Sequence, residues 1–200
     1  MDGNERKRHI GFYGGSFNPV HTGHLILADY MAQFAGLDEV WLSVSPLNPL
    51  KAGEERPVDD DDRLAMLRLA IGDNPLLKIS TIELSMPLPT YTINTLREIS
   101  RLHPDAKFSL IIGSDNWKLF DRWKFPEEII ERFSPIIYPR PGYEVDARTL
   151  PQGVTLLEKA PLLDISSTFI RQAIASGHDM EYFVTSRVWN YIVKHSLYMK

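Results

Sequence analysis

A short apolar and aromatic run, Ile10 to Tyr13, is followed by Gly14-Gly15, by the turn pair Asn18-Pro19, and then by Leu25, Ala28, Met31 and Ala32 at helical spacing. The run reads as a buried strand that the glycines stop, and the spaced residues read as a helix. A chain that goes strand, glycine turn, helix points a helix N-terminus and bare backbone N–H groups at an anion. His21 and His24 fall at the helix entrance. If the first turn is helical, they project from nearly the same side. Imidazoles, glycines and a positive dipole end then converge on one small volume suited to a polyphosphate. No Gly-Lys-Ser/Thr follows the glycines, and their spacing does not fit G-x-G-x-x-G, so both of those phosphate loops are excluded. A zinc site needs three or four ligands, and the sequence offers no cysteine and no third ligand nearby.

The rest of the chain repeats the alternation of short apolar runs and helical stripes. Val40 to Val44 reads as a second strand, leaving through the Pro- and Gly-rich loop Ser45 to Gly53. Such a loop lies at a strand's carboxyl end, where ligands bind in open α/β sheets. Its one cation, Lys51, is a candidate phosphate partner or a solvated surface lysine. The acidic run Asp59 to Asp62 reads as a helix start, because carboxylates favour the positive end of the helix dipole. Leu64, Leu67 and Ile71 continue that helix, and Gly72-Asp73-Asn74-Pro75 ends it. Leu76 to Ile79 is a short strand, and Ile93, Leu96 and Ile99 mark a helix entered through Thr90-Tyr91-Thr92.

Phe108 to Ile112 is the best candidate for a central parallel strand buried on both faces. It ends in Gly113-Ser114-Asp115-Asn116, where Asp115 reads as a site acid or as a loop cap. The aromatics Trp117, Phe120 and Trp123 follow, and they either stack on a flat heterocycle or belong to the core. Ser134 to Tyr138 and Val154 to Leu157 are further strands. Ser166-Ser167-Thr168 then open a helix that carries Arg171, a second grouping of hydroxyls, free N–H groups and a guanidinium able to fork two phosphate oxygens. Val184, Val188 and Ile192 make a last helix. The expected fold is therefore α/β, an open parallel sheet of Rossmann-like type with helices on both faces.

Two hundred residues suit a single domain, 1–200. A net charge of -4 argues against a nucleic-acid partner, although a local pocket can still be positive. The absence of cysteine excludes disulfide and thiolate chemistry and fits a cytoplasmic protein. The charged first nine residues do not read as a signal peptide. No apolar run is long enough for a bilayer, so no membrane partner is expected.

Gly-Gly-Ser-Phe-Asn-Pro-Val-His-Thr-Gly-His near the start and Ile165-Ser-Ser-Thr-x-Ile-Arg171 near the end resemble the paired motifs of the nicotinate/nicotinamide mononucleotide adenylyltransferases. Asp62-Arg63-Leu64, Tyr91-Thr92 with Thr95-Leu96, Ile111-Ile-Gly-Ser-Asp115 with Trp123, and Arg140-Pro-Gly142 also match that family in order. The bacterial nicotinate mononucleotide enzymes are the nearest likeness. Three positions depart from the family pattern: Asn18 stands for Asp, Leu50 for His, and Lys124 for an aromatic.

The resemblance implies transfer of AMP from ATP, with Mg²⁺, to nicotinate mononucleotide. It implies His21, His24 and Arg171 as the catalytic donors. It implies an ATP site that also takes in Gly14, Gly15, Ser16, Phe17, Gly23, Gly113, Asp115, Ile165, Ser167 and Thr168. Ser16, Lys51, Thr92, Asp115 and Trp123 would seat the mononucleotide. A homo-oligomer is compatible with the sequence.

Overall fold

The computed structural model describes residues 6–46 and 58–199. Lys51, Leu50 and most of the loop after the second strand lie outside the described residues.

Among the described residues six strands form one sheet: β1 (Arg8–Gly15), β2 (Glu39–Val44), β3 (Leu77–Ser80), β4 (Ala106–Gly113), β5 (Ile136–Tyr138) and β6 (Thr155–Leu156), in the order β3-β2-β1-β4-β5-β6. Every neighbouring pair is parallel. The helices are α1 (Thr22–Phe34), α2 (Asp60–Ile71), α3 (Thr92–Leu102), the short α4 (Ser114–Trp117), α5 (Pro126–Phe133), α6 (Ser167–Ala175) and α7 (Ser186–Lys194). The apolar residues of α1, α2, α6 and α7 enter one core, and those of α3 and α5 enter a second core with alternate residues of β1 and β4. Both faces of the sheet are thus covered, which is why the strands read as apolar runs and not as alternating ones.

β4 occupies the place its sequence suggests, between β1 and β5. Its one polar interior residue, Ser109, is buried and sits 2.8 Å from His9 Nε2. The acidic run does start α2, with Asp60, Asp61 and Asp62 in its first turn and Arg68 in its last, an arrangement that complements the helix dipole at both ends.

Two local expectations are corrected. Gly14 and Gly15 do not stop the first strand. β1 continues through them because β2 supplies partners, Gly14 against Ser43 and Gly15 against Val44, and Ser45 N–H donates to the Gly15 carbonyl at 2.9 Å. The turn comes afterwards, at residues 16–21. The segment after Trp123 also holds a helix, α5, that the aromatic cluster masked. Pro126 stands in its first turn with Glu127 and Glu128 behind it, and Ile129 and Phe133 face the core, all ordinary helix-start chemistry.

The direction of winding reverses at β1, which neighbours both β2 and β4. Chain leaving the carboxyl ends of these two strands parts to opposite faces and opens a crevice, the usual ligand position in such sheets.

Candidate active site

His21 caps the N-terminus of α1 in extended conformation, and His24 is the third residue of the helix. Their rings stack with centroids 3.6 Å apart, as the spacing suggests. The His21 backbone N–H donates to His24 Nδ1 at 3.2 Å, so a neutral His24 carries its proton on Nε2 and presents it as a donor. Burial pushes the His21 imidazole down to about 4, and the nearby Arg140 charge adds to the effect. Burial, then His21, then Arg140 hold His24 well below the usual range. Both rings are therefore neutral donors near neutral pH. Gly23 leaves room for this stack, since a Cβ there would lie 3.0 Å from His21 Nδ1 and 3.6 Å from Ile165 Cβ.

The second motif docks onto the loop that leads into the first. Arg171 Nη1 donates to the Asn18 carbonyl at 2.9 Å, and Ser167 Oγ donates to the Pro19 carbonyl at 2.9 Å. The other guanidinium nitrogen, Nη2, lies 3.4 Å from the exposed Thr168 hydroxyl. Ser166, not Ser167, caps α6, accepting from Phe169 N–H at 3.1 Å. Asn18 is itself buried, and its Oδ1 accepts from the Tyr198 hydroxyl at 2.8 Å. An amide side chain thus suits this position, where the resembling family carries Asp. Residues 18–24 and 165–171 are brought together across the whole chain.

Asp115 stands in α4 at the end of β4, and its Oδ1 lies 3.8 Å from Arg140 Nε. Gly113 is required there, because a Cβ would come 2.2 Å from Asp115 Oδ1 and 3.2 Å from Arg140 Cγ. Ser114 Oγ accepts from the Arg140 N–H at 2.8 Å. In the sequence Arg140 is legible only as part of the Arg140-Pro-Gly142 motif. Its place, two residues past the end of β5 and so at the carboxyl edge of the sheet, is the signal that marks it.

Beside this polar cluster lies a cavity of about 400 Å³. Gly14, Gly15 and Ser16 form one wall, and Thr92, Gly113 and Trp123 are among its other lining residues. Trp123 therefore has a face toward the cavity, while Phe120 beneath it is core. Glu83, Thr90, Asn116, Arg122 and Lys124 also line it and had been given no site role. Phe17 is not a lining residue. It is buried and packs edge-on against His24, with centroids 5.0 Å apart.

Arg63 holds the walls in place. It is fully buried, donates to the carbonyls of Ser16 at 2.7 Å and Ser45 at 2.8 Å, and pairs with Asp60. The loops after β1 and β2 are thus fixed to one guanidinium on α2. Among the described residues no three His, Cys, Asp or Glu side chains gather in a way that would hold a metal ion. Among them, too, no helix is long and apolar enough to cross a membrane.

The cytidylyltransferase-like family matches residues 12–173. A protein of Bacteroides thetaiotaomicron is 48% identical over 186 residues, covering 93% of this chain and 91% of its own, and is named "Probable nicotinate-nucleotide adenylyltransferase". A Bacteroides fragilis protein of the same name is 44% identical over 95% of this chain and 94% of its own. The Plasmodium falciparum nicotinic acid mononucleotide adenylyltransferase complexed with NaAD superposes with a TM-score of 0.79 at 21% identity, over 96% of this chain and 97% of that one.

Proposed function

This chain belongs to the cytidylyltransferase-like family, and we propose that it transfers the adenylyl group of ATP to nicotinate mononucleotide in NAD biosynthesis, forming deamido-NAD and releasing pyrophosphate. The names of its relatives and the NaAD-bound structural neighbour support this reaction. One observation carries the assignment of the site: a donor-rich phosphate cradle and an adjoining cavity meet at the carboxyl end of β1. A triphosphate suits the first and a mononucleotide the second.

In this reading an oxygen of the mononucleotide phosphate attacks the α-phosphorus of ATP in line. The new P–O bond forms as the bond to the bridging α–β oxygen breaks, and pyrophosphate leaves with that electron pair. The nucleophile is already an anion, so no general base is required. The protein's part is to align two polyanions and to neutralise charge that grows on the transferring and leaving groups. His24 Nε2–H and the neutral His21 ring would donate to the oxygens of the reacting phosphorus. Arg171, with Thr168 and the free N–H groups of α6, would hold the outer phosphates. Ser167 Oγ already donates to Pro19, so its role is to fix the loop. Arg140 would add a second guanidinium opposite α6. Gly14, Gly15 and Ser16 would lie under the phosphates, and Gly113 and Asp115 beside the ribose. Trp123 would stack on the pyridine ring, and Thr92, at the start of α3, would face its carboxylate.

A divalent metal accompanies ATP in nucleotidyltransfer, and Mg²⁺ is the ion we propose. The donor set favours its arrival bound to the triphosphate, because no three carboxylate or imidazole groups gather among the described residues and Asp115 faces the Arg140 charge. Both halves of the site come from one sheet, which supports reading 1–200 as one domain. The reaction consumes ATP, and we place it in the cytoplasm.

The experiment is direct. Enzyme, ATP and Mg²⁺ are mixed with nicotinate mononucleotide, nicotinamide mononucleotide or phosphopantetheine, and pyrophosphate is measured. Release with nicotinate mononucleotide, well above release with the other two, is expected. ATP binding without turnover of any acceptor would leave a nucleotide-sensing module and overturn the reading.

A further inference from the structure

Three side-chain atoms in the wall of the cavity are buried without a hydrogen-bond partner: Glu83 Oε2, Thr90 Oγ1 and Trp123 Nε1. Buried polar groups are rarely left so unless an ordered water or a ligand completes them. Glu83 is the most demanding of the three, because an acid is an unusual lining for a pocket that receives an anion. It stands in the 3-10 turn Ile82–Ser85 that follows β3, and the residue is 5% exposed. Thr95 Oγ1, from α3, donates to its Oε1 at 2.9 Å. That bond fixes the carboxyl and leaves Oε2 free. Burial raises the Glu83 carboxyl, the bond from Thr95 counters the rise, and the Ser45 hydroxyl adds to this from nearby without bonding Oε2. A further donor would complete its shell.

The chemistry of the acceptor decides what that donor is. Near neutral pH nicotinate mononucleotide carries an ionised carboxylate, a phosphate that is mostly dianionic, a pyridinium ring and two ribose hydroxyls. The carboxylate and phosphate are acceptors and would be repelled by Glu83. The hydroxyls are the only strong donors on the molecule. We propose that Glu83 contacts the mononucleotide directly, its Oε2 accepting a hydrogen bond from a ribose hydroxyl. This rests on the adenylyl-transfer reading above. It places the sugar against the turn after β3 and fixes its facing. The competing role is purely internal, with Glu83 serving only to tie that turn to α3 through Thr95.

The two roles separate in a cycle of protein and substrate changes. Steady-state kinetics are measured for the wild type and Glu83→Ala with nicotinate mononucleotide and with its 2′-deoxy and 3′-deoxy analogues, at saturating MgATP. The expected result is a rise in KM for the mononucleotide of about tenfold or more in Glu83→Ala, with KM for ATP nearly unchanged. One deoxy analogue suffers a similar loss with the wild type and no further loss with the variant. Glu83→Gln keeps the shape and serves if the alanine variant does not fold; with it the deoxy penalty shrinks. A deoxy penalty that is equal in wild type and folded variant, for both analogues, overturns the contact. So does an unchanged KM for the mononucleotide. A wild type that turns over no nicotinate mononucleotide at all removes the premise, and the contact with it, which distinguishes the two failures.

Discussion

Replacing Arg63 by Met tests how far the site depends on one buried guanidinium. The side chain lies wholly inside the protein and donates to the carbonyls of Ser16 and Ser45. Methionine fills much of the same space but leaves both carbonyls without that donor. Each buried acceptor so orphaned costs about 1–3 kcal/mol, which sets a gross loss of roughly 2–6 kcal/mol. Asp60 adds little, since its side chain is 44% exposed and water replaces the pairing. Against this, the variant no longer buries a charge, and Arg63 Nε has no partner to lose. The net destabilisation expected is about 2–4 kcal/mol. For a chain of this size that is a fall in melting temperature of roughly 4–16 °C. Urea unfolding measures the stability. Because Ser16 and Ser45 also line the cavity, KM for the mononucleotide should rise alongside. Arg63→Lys, which keeps a cation but is shorter and lacks the second nitrogen that pairs with Asp60, should fall between. A Met variant as stable as wild type, with unchanged KM, would refute the reasoning.

His24→Ala removes a donor aimed at the reacting phosphorus, so kcat should drop roughly a hundredfold or more with the unfolding curve preserved; turnover near wild type in the folded variant sinks the role. His21 titrates at about 4 when folded and near 6.5 when unfolded. The unfolded state therefore binds more protons between those values, and the stability contribution, complete above pH 6.5, is lost as pH falls toward 4. Urea midpoints across that range should decline less steeply in His21→Gln, and parallel curves would contradict this. Arg140→Ala should raise the His21 midpoint followed by NMR, because Arg140 is one of the causes of its depression; an unmoved resonance would place Arg140 outside the cradle. Gly113→Ala should impair turnover through the forced displacement of Asp115, whose Oδ1 would lie 2.2 Å from the new Cβ, and intact kinetics would show that this pair does not matter.

The parts legible in the sequence share a physical cause. Strands buried on both faces must be apolar throughout, so β2 and β4 announced themselves. The histidine stack was legible because its members are three apart on one helix entrance. Asp60 to Asp62 could be assigned to a helix start because dipole complementarity is local. What stayed hidden depends on neighbours far along the chain. Gly14 and Gly15 look like a strand stop until β2 lies alongside them. Arg140 approaches the histidines only because the sheet order places β5 next to β4. Glu83 sits between apolar residues in a short 3-10 turn, with no period to mark it. α5 has clear start signals at Pro126-Glu127-Glu128, but the aromatics ahead of it drew the eye to a pocket. Lys51 falls outside the described residues.

Asn18 gathers Arg171 on its main chain and Tyr198 on its side chain. The loop built by the first motif is therefore completed by residues of α6 and of the segment beyond α7. A chain cut before α6 would lose both of these contacts with residue 18. Fusions placed after the last helix should be judged by the same connection, since pulling Tyr198 away tugs on residue 18 rather than on a distant tail.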